Sequence, residues 1–435
     1  MSNIKVNTQL QLTGYEQLGE LTKVFQYNVN KLKLFECYNI STPNATISTR
    51  TGNIFNLNAI PKSIIELFIE KCELDNIEGF QFMDQLQILV LANNKLQQID
   101  QLKNLTKLTF LDLQRNQIKD ILMLQSLISL VHLNLSQNRI TDISVLQFLP
   151  QIVTLDISNN GLSDIQPIKF LVSMQDLNIS GNMHILKPSY SSIILPNLRK
   201  INLRWNIIGD ISVIQSFSSV IELNLSCNNL KQLLQPRFDL NNLIYLDLNG
   251  NGLQDISTLR YAVSLQYLDL SGNGKTTPMN IDGLQNLTKL IKLNLNSCKL
   301  KQILAVFKLR SLQELNLSEN ELTDISPLKQ LTNLLSLNVQ GNKITNLSAI
   351  ENHPNFDKYL TSLQQKPSPK LLKFSAKMKN IHQIMEQQYQ SFILNKSFKQ
   401  NVVKQKEHVQ QLVSSSINNQ VWFTGKIIVL LKNFE

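Results

Sequence analysis

The sequence is poor in the residues that carry covalent and metal chemistry. Its 435 residues include four cysteines, five histidines and two tryptophans. Cys37, Cys72, Cys227 and Cys298 form no Cys-x-x-Cys pair, and no cysteine follows Cys298. His132, His184, His353, His382 and His408 are scattered. Neither a metal-ligand spacing nor a Ser/His/Asp constellation arises from them, so intrinsic catalysis is not expected and no cofactor is implied. Residues 1–14 are polar and lack the apolar core of a secretory leader. Apolar runs stay well short of the roughly 20 residues needed to cross a bilayer. A reduced, cytoplasmic setting is expected, with the nucleus as the alternative. The Asn-x-Ser triplets at Asn134, Asn178, Asn224 and Asn316 belong to a recurring phrase, and none is read as glycosylated.

Arginine is missing from one region altogether. Residues 366–435 contain eleven lysines, no arginine and three acids, Glu386, Glu407 and Glu435, a net of +8. The whole chain carries +10, so the remaining residues are close to neutral.

What the chain does have is a phrase repeated about thirteen times between residues 64 and 350, with a period close to 22. Copies start at Ile64, Leu86, Leu108, Leu130, Ile152, Met174, Leu198, Val220, Leu243, Leu265, Leu290, Leu312 and Leu334. Three residues later stands Leu in twelve copies and Ile201 in the other; five later an aliphatic is invariant. Eight later stands Asn in eleven copies, replaced by Cys72 and Cys298 in two. In LVHLNLSQN (residues 130–138), Leu133 and Leu135 alternate with His132, Asn134 and Ser136, the period-2 pattern of a half-buried strand. The Asn amide can pair loop backbone groups, and Cys can fill the slot as a small weak donor. Cys72 and Cys298 are therefore read as structural.

In the second half of each copy an Asp or Asn precedes an aliphatic, as at Asn76, Asp120, Asp142, Asp164, Asp210, Asp255, Asp324 and Asn346. These side chains are expected to cap a short helical turn rather than bind metal, since each is a whole repeat from the next. Apolar residues at spacing three, such as Leu146 and Leu149, suit a 3₁₀ or α turn. A short unit of this kind cannot bury its apolar face alone and must stack on its neighbours.

The phrase LxxLxLxxNxLxxI resembles the leucine-rich repeat family, in the 22-residue form of a type-1 protein phosphatase regulatory subunit and the bacterial internalins. The resemblance covers residues 64–350. It implies an α/β repeat solenoid, a right-handed horseshoe with a concave parallel β-sheet and short 3₁₀/α convex turns, that binds another protein.

Residues 1–63 are read as an N-terminal cap with degenerate repeats, since Val29, Leu32, Leu34 and Cys37 restate the phrase and residues 47–60 offer another worn copy. Residues 351–366 resemble the closing cap of this repeat subclass, with Pro354 starting a helix. Residues 367–435 form a basic Lys/Gln/Asn-rich tail, mostly helical and compatible with a short coiled coil. The copy from Leu265 inserts Gly274-Lys275-Thr276-Thr277-Pro278. Gly-Lys-Thr suggests a phosphate loop, but the first glycine such a loop needs is Asp269 here, so a surface loop is expected.

Positions two, four and six after each start face the concave side. Position four is Asp or Asn in all eleven copies from Asp112 onward, so departures elsewhere are informative. Three groups stand out as partner-binding candidates. Phe68, Ile88, Val90 and Phe110 form an apolar group bordered by Glu66 and Glu70, a group that could instead lie under the N-terminal cap. Lys200, Arg204 and Trp205 stand with Glu222 mid-sheet. Tyr245 and Tyr267 follow, one repeat apart. Aromatics with Arg are the usual anchors of protein interfaces. A non-enzymatic protein-interaction scaffold is the leading reading. The alternatives are a phosphatase regulatory subunit, by family analogy, and attachment of the basic tail to a polyanion or an acidic membrane surface.

Overall fold

Leucines three and five places after each start leave a copy with one apolar edge, and only a neighbouring copy can cover it. The computed structural model describes residues 60–182, 193–209, 219–233, 240–274, 277–351 and 353, with four upstream strands at Thr8–Thr13, Val29–Phe35, Ile40–Ser41 and Phe55–Asn56. Each of the thirteen copies contributes one strand, typically three residues long, as at His132–Asn134, Tyr245–Asp247 and Tyr267–Asp269. The middle residue is buried and its two neighbours are less so, as the period-2 pattern requires. With Thr8–Thr13 and Val29–Phe35 they form one sheet of fifteen strands, every pairing parallel. Register follows the repeat, so Leu133 lies beside Leu111 and Leu155. The curved sheet is the inner face of an open solenoid, and 3₁₀ turns such as Ser144–Phe148 and Gln166–Phe170 form the outer one.

One continuous apolar core runs between the two layers, from Leu32 and Leu34 to Ile350. Alongside it lies a ladder of buried asparagines. Asn228 is representative: its Nδ2 donates to the carbonyls of Leu203, Leu225 and Ser226 at 2.9–3.2 Å, and its Oδ1 accepts the N–H groups of Asn206 and Ile208. One amide thus satisfies backbone groups of two consecutive repeats that burial would leave unpaired. Asn94, Asn116, Asn138, Asn160, Asn251 and Asn320 repeat the scheme.

Cysteine fills the same slot more weakly. The Cys298 thiol lies 3.2 Å from the Leu270 carbonyl and 3.5 Å from that of Asn296, the acceptors an Asn amide would reach. Cys72 approaches the carbonyls of Leu34 and Glu70 in the same way. Burial pushes the Cys298 thiol up to about 12, which suits a structural thiol and not a nucleophile.

The side chain at position four has a fixed task. In all eleven copies from Asp112 onward its Oδ1 accepts the backbone N–H two residues on, as Asp156 does from Ser158 and Asn224 from Ser226. This Asx turn ends the strand. The seventh residue then adopts the left-handed backbone conformation in every copy, although only Gly181, Gly250, Gly272 and Gly341 are glycine there. Its N–H bonds to the next repeat, as Trp205 N–H does to the Ser226 carbonyl.

The expected caps are present, shifted by one residue. Asp142 accepts from the Ser144 N–H and Asp324 from the Ser326 N–H, the first residues of their turns, so the carboxylate stands before the cap position rather than on it. That bond holds the Asp324 carboxyl below the usual range. Asn76, Asp120, Asp164, Asp255 and Asn346 bond likewise, while Asp210 lies outside the described residues.

At the N-terminal end Val29–Phe35 restates the repeat strand, with Leu32 beside Leu67 and Leu34 beside Ile69. The sheet passes from this strand directly to Glu66–Glu70; of residues 47–60 only 55, 56 and 60 are described, and Phe55–Asn56 pairs with Ile40–Ser41 in a separate two-stranded sheet. Of the expected closing cap only Glu351 and His353 are described, and the basic tail with its expected helices and coiled coil lies outside the described residues. In the inserted loop a Cβ on Gly274 would fall 2.2 Å from the Cys298 backbone carbon. That glycine is needed for close backbone approach; Lys275 and Thr276 lie outside the described residues.

Three outcomes are expected. Leu133→Ala should cost about 2–5 kcal/mol of unfolding free energy in denaturant titration, through the cavity it leaves. Asn228→Ala should cost about 3 kcal/mol or more, because the buried N–H groups of Asn206 and Ile208 lose the acceptor they share and three carbonyls lose a donor, whereas Asn228→Cys should cost less. Peptide mapping after iodoacetamide treatment of the native protein at pH 8 should find half-buried Cys227 alkylated well before Cys72 and Cys298.

Candidate binding face

With position four committed to Asx turns, position two carries the variation across the concave sheet. In chain order from the seventh copy, this row reads Lys200, Glu222, Tyr245, Tyr267, Lys292, Glu314. The parallel register pairs them two by two. Lys200 bonds Glu222 at 2.8 Å, Tyr245 stacks on Tyr267 with centroids 4.3 Å apart and an interplanar angle of 8°, and Lys292 bonds Glu314 at 2.8 Å. Two closed ion pairs therefore flank a stacked aromatic pair. The ion pairs are half-exposed and each contributes about 0–1 kcal/mol.

The tyrosines are less open to solvent than their positions in the sequence suggest, because each ring covers one face of the other. Burial, with the charges of Asp247 and Asp269 nearby, raises both phenol pKa values above the usual range, so both hydroxyls remain protonated donors at neutral pH. Burial likewise raises the Asp247 carboxyl, with Asp269 adding to the effect and Arg204 opposing it. The bond to Glu222 raises Lys200.

Arg204 and Trp205 join this surface at the strand exit. The guanidinium carbon of Arg204 lies 5.3 Å from the Trp205 ring centroid, and the indole is 47% exposed rather than packed into the loop. Trp205 and Ile207 both have left-handed backbones, with φ of 58° and 56°, and both are exposed on either side of buried Asn206. The neighbouring seventh positions are small, Gly181 on one side and Cys227 and Gly250 on the other, so the indole stands above its surroundings.

The N-terminal apolar group is only partly available. Val90 is 7% exposed and does not belong to an open face; it is buried between Phe68 and Asp112 in the register. Phe68 has Lys33 at 4.9 Å and Lys31 at 5.4 Å from its ring, and Lys31 bonds Glu66 at 2.5 Å. The upstream strand thus flanks Phe68 with cations rather than sealing it. Ile88, Phe110 and Glu70 are half-buried. Phe110 leads on to His132, 5.9 Å between ring centroids, whose Nδ1 lies 2.8 Å from Thr154 Oγ1.

Lys292 and Glu314 belong with the site, and the sequence holds their signal: they repeat, at the same position two, the Lys–Glu succession of Lys200 and Glu222. The exposed convex aromatics Phe148 and Phe170 stand eighteen places after their copy starts, as do exposed Phe82 and Tyr261, a weaker recurrence on the face away from the sheet. Among the described residues no three His, Cys, Asp or Glu side chains cluster to hold a metal ion, and no helix is long and apolar enough to cross a membrane.

Comparison with known proteins agrees with this architecture. The family "Leucine Rich repeats (2 copies)" matches residues 84–127, 106–148, 128–170 and 310–352, and "Leucine rich repeat" matches residues 218–274. No curated protein matches the sequence. Among solved structures, an internalin (InlF) of Listeria monocytogenes is 28% identical over 68% of this chain and 86% of its own, with a TM-score of 0.62. A leucine-rich repeat protein of Leptospira interrogans is 22% identical over 85% of this chain and 98% of its own, with a TM-score of 0.63. InlJ of Listeria monocytogenes is 21% identical over 71% of this chain and 68% of its own, with a TM-score of 0.56. The asparagine ladder, the 22-residue register and these matches together make the chain similar to the leucine-rich repeat family, in a form that resembles the internalins.

Proposed function

We propose that this protein is a non-enzymatic scaffold that holds a protein partner on its concave sheet, with Tyr245 and Tyr267 at the centre of contact. The fold is one whose members generally serve as interaction scaffolds. The observation that carries the reading is the row itself, an aromatic pair bracketed by two ion pairs. Interfaces draw their affinity from a few aromatic and Arg anchors ringed by contacts that exclude water. The tyrosines here are ordered by each other, so little side-chain freedom is lost on binding. Lys200, Glu222, Lys292 and Glu314 already have partners, so the rim offers polar complementarity without a bare charge to desolvate. Arg204 and Trp205 extend the face to the strand exit, while Phe68, Ile88 and Phe110 with Glu70 form a second, cation-flanked patch. Neither the phosphatase-regulator alternative nor the polyanion or membrane alternative has an observation among the described residues to favour it.

Affinity capture with the full chain tests this. Tyr245→Ala with Tyr267→Ala should release the specific partner, weakening binding by about 30-fold or more, the equivalent of about 2 kcal/mol. Phe148→Ala with Phe170→Ala on the convex side should leave capture unchanged. Retention of every specific partner by the tyrosine variant, with an unchanged melting temperature, would overturn the concave assignment.

A further inference from the structure

Charge is divided unevenly over the solenoid. From Glu66 to Gln340, positions two, four and six of the thirteen copies hold nine carboxylates and three cations, Lys200, Arg204 and Lys292. All other described residues between 60 and 353 hold nineteen cations and fourteen carboxylates. The concave sheet is therefore the acidic side of a basic protein. Its carboxylates crowd one another: burial raises the Asp176 carboxyl, with Lys200 opposing and Glu222 and Asp156 adding to the effect, and burial raises Asp247, with Asp269 adding and Arg204 opposing. A cation placed there relieves this repulsion.

We infer that the concave sheet also receives the chain's own lysine-rich segment, residues 366–435, which competes there with the protein partner. This builds on the concave face as the binding surface and adds a second occupant to it. Two observations favour this segment over others. Its charge is complementary: eight lysines and one acid lie between 370 and 406. Its starting point is also close. From the last strand, Ser336–Asn338, the strand of Asp247 is four steps away and that of Asp176 seven, about 19 and 34 Å at 4.8 Å per strand. Lys370 follows His353 by seventeen residues, a reach of up to about 58 Å, so the segment can span either distance. Being tethered, it meets the sheet at an effective concentration in the millimolar range, which makes even weak lysine–carboxylate contacts competitive. The segment contains no arginine, so its contacts are the point-charge kind that salt screens and a well-anchored partner can displace.

Zero-length carbodiimide cross-linking of the full chain, read by mass spectrometry, tests the inference. Cross-links should join lysines 370–406 to Asp176, Asp247 and Asp269, and should fall severalfold in 1 M salt. In a mixture of isotope-labelled and unlabelled chains they should lie within one chain. The full-length variant with Lys370, Lys373, Lys377 and Lys379 all changed to Glu should also lose the cross-links from Lys396, Lys399, Lys404 and Lys406, which it retains, while keeping the same circular dichroism. Cross-links spread equally over the convex acids Asp142, Asp164 and Asp324 would overturn the inference, as would links only between chains or none to the concave acids. None of these failures would touch the partner-binding reading, which depends on the tyrosine variants; loss of that reading would equally leave the cross-links to stand or fall alone.

Discussion

Everything in this molecule depends on one buried amide recurring at a fixed interval. A strand of three residues cannot hold itself in place, and the backbone that leaves it must turn through the interior, where water cannot reach it. The asparagine eight places after each start bonds carbonyls of its own repeat and its predecessor, and accepts N–H groups from the predecessor's loop. It therefore fixes both the turn within a repeat and the spacing between repeats. Once that spacing is fixed, any position in the phrase faces its own counterpart one copy away. Surface chemistry on the sheet becomes a matter of which residue type follows which at a 22-residue interval.

Much of the fold is legible in the sequence because its constraints are periodic. Leucine at positions three and five, Asn or Cys at eight, and Asp or Asn before the convex turn each answer a local backbone demand, so residue type alone reveals them. The Asx turn at position four belongs to the same class, although its function only emerges with coordinates: what reads as a filler on the concave face ends the strand. The strand at Thr8–Thr13 was harder to see because its residues lack the rest of the phrase. The position of the caps, one residue early, depends on backbone angles that residue types do not encode.

The candidate site is less legible, and the reason is physical. Exposure depends on the neighbours in the register. Val90 has the same periodic address as an exposed residue but is covered, whereas Trp205 stands clear because Gly181, Cys227 and Gly250 lie beside it. The stacking of Tyr245 and Tyr267 follows from their spacing. The enclosure of that stack by ion pairs requires Lys292 and Glu314, whose importance shows only when the row is viewed as a whole.

The cysteine at position 298 sets one joint of that row apart. Its thiol lies 3.2 Å from the Leu270 carbonyl, the Asn273 N–H bonds to it, and the loop inserted at Gly274 lies against its backbone. The joint between the tenth and eleventh copies falls between Tyr267 and Lys292; it keeps its parallel register, and Asn294 Nδ2 donates to Asp269 Oδ2 across it at 2.9 Å. In a stack where each unit grips only its neighbours, a joint that keeps step without the amide lets the row run on unbroken. The scaffold thus absorbs an exchange of its own fastening without altering the spacing it presents.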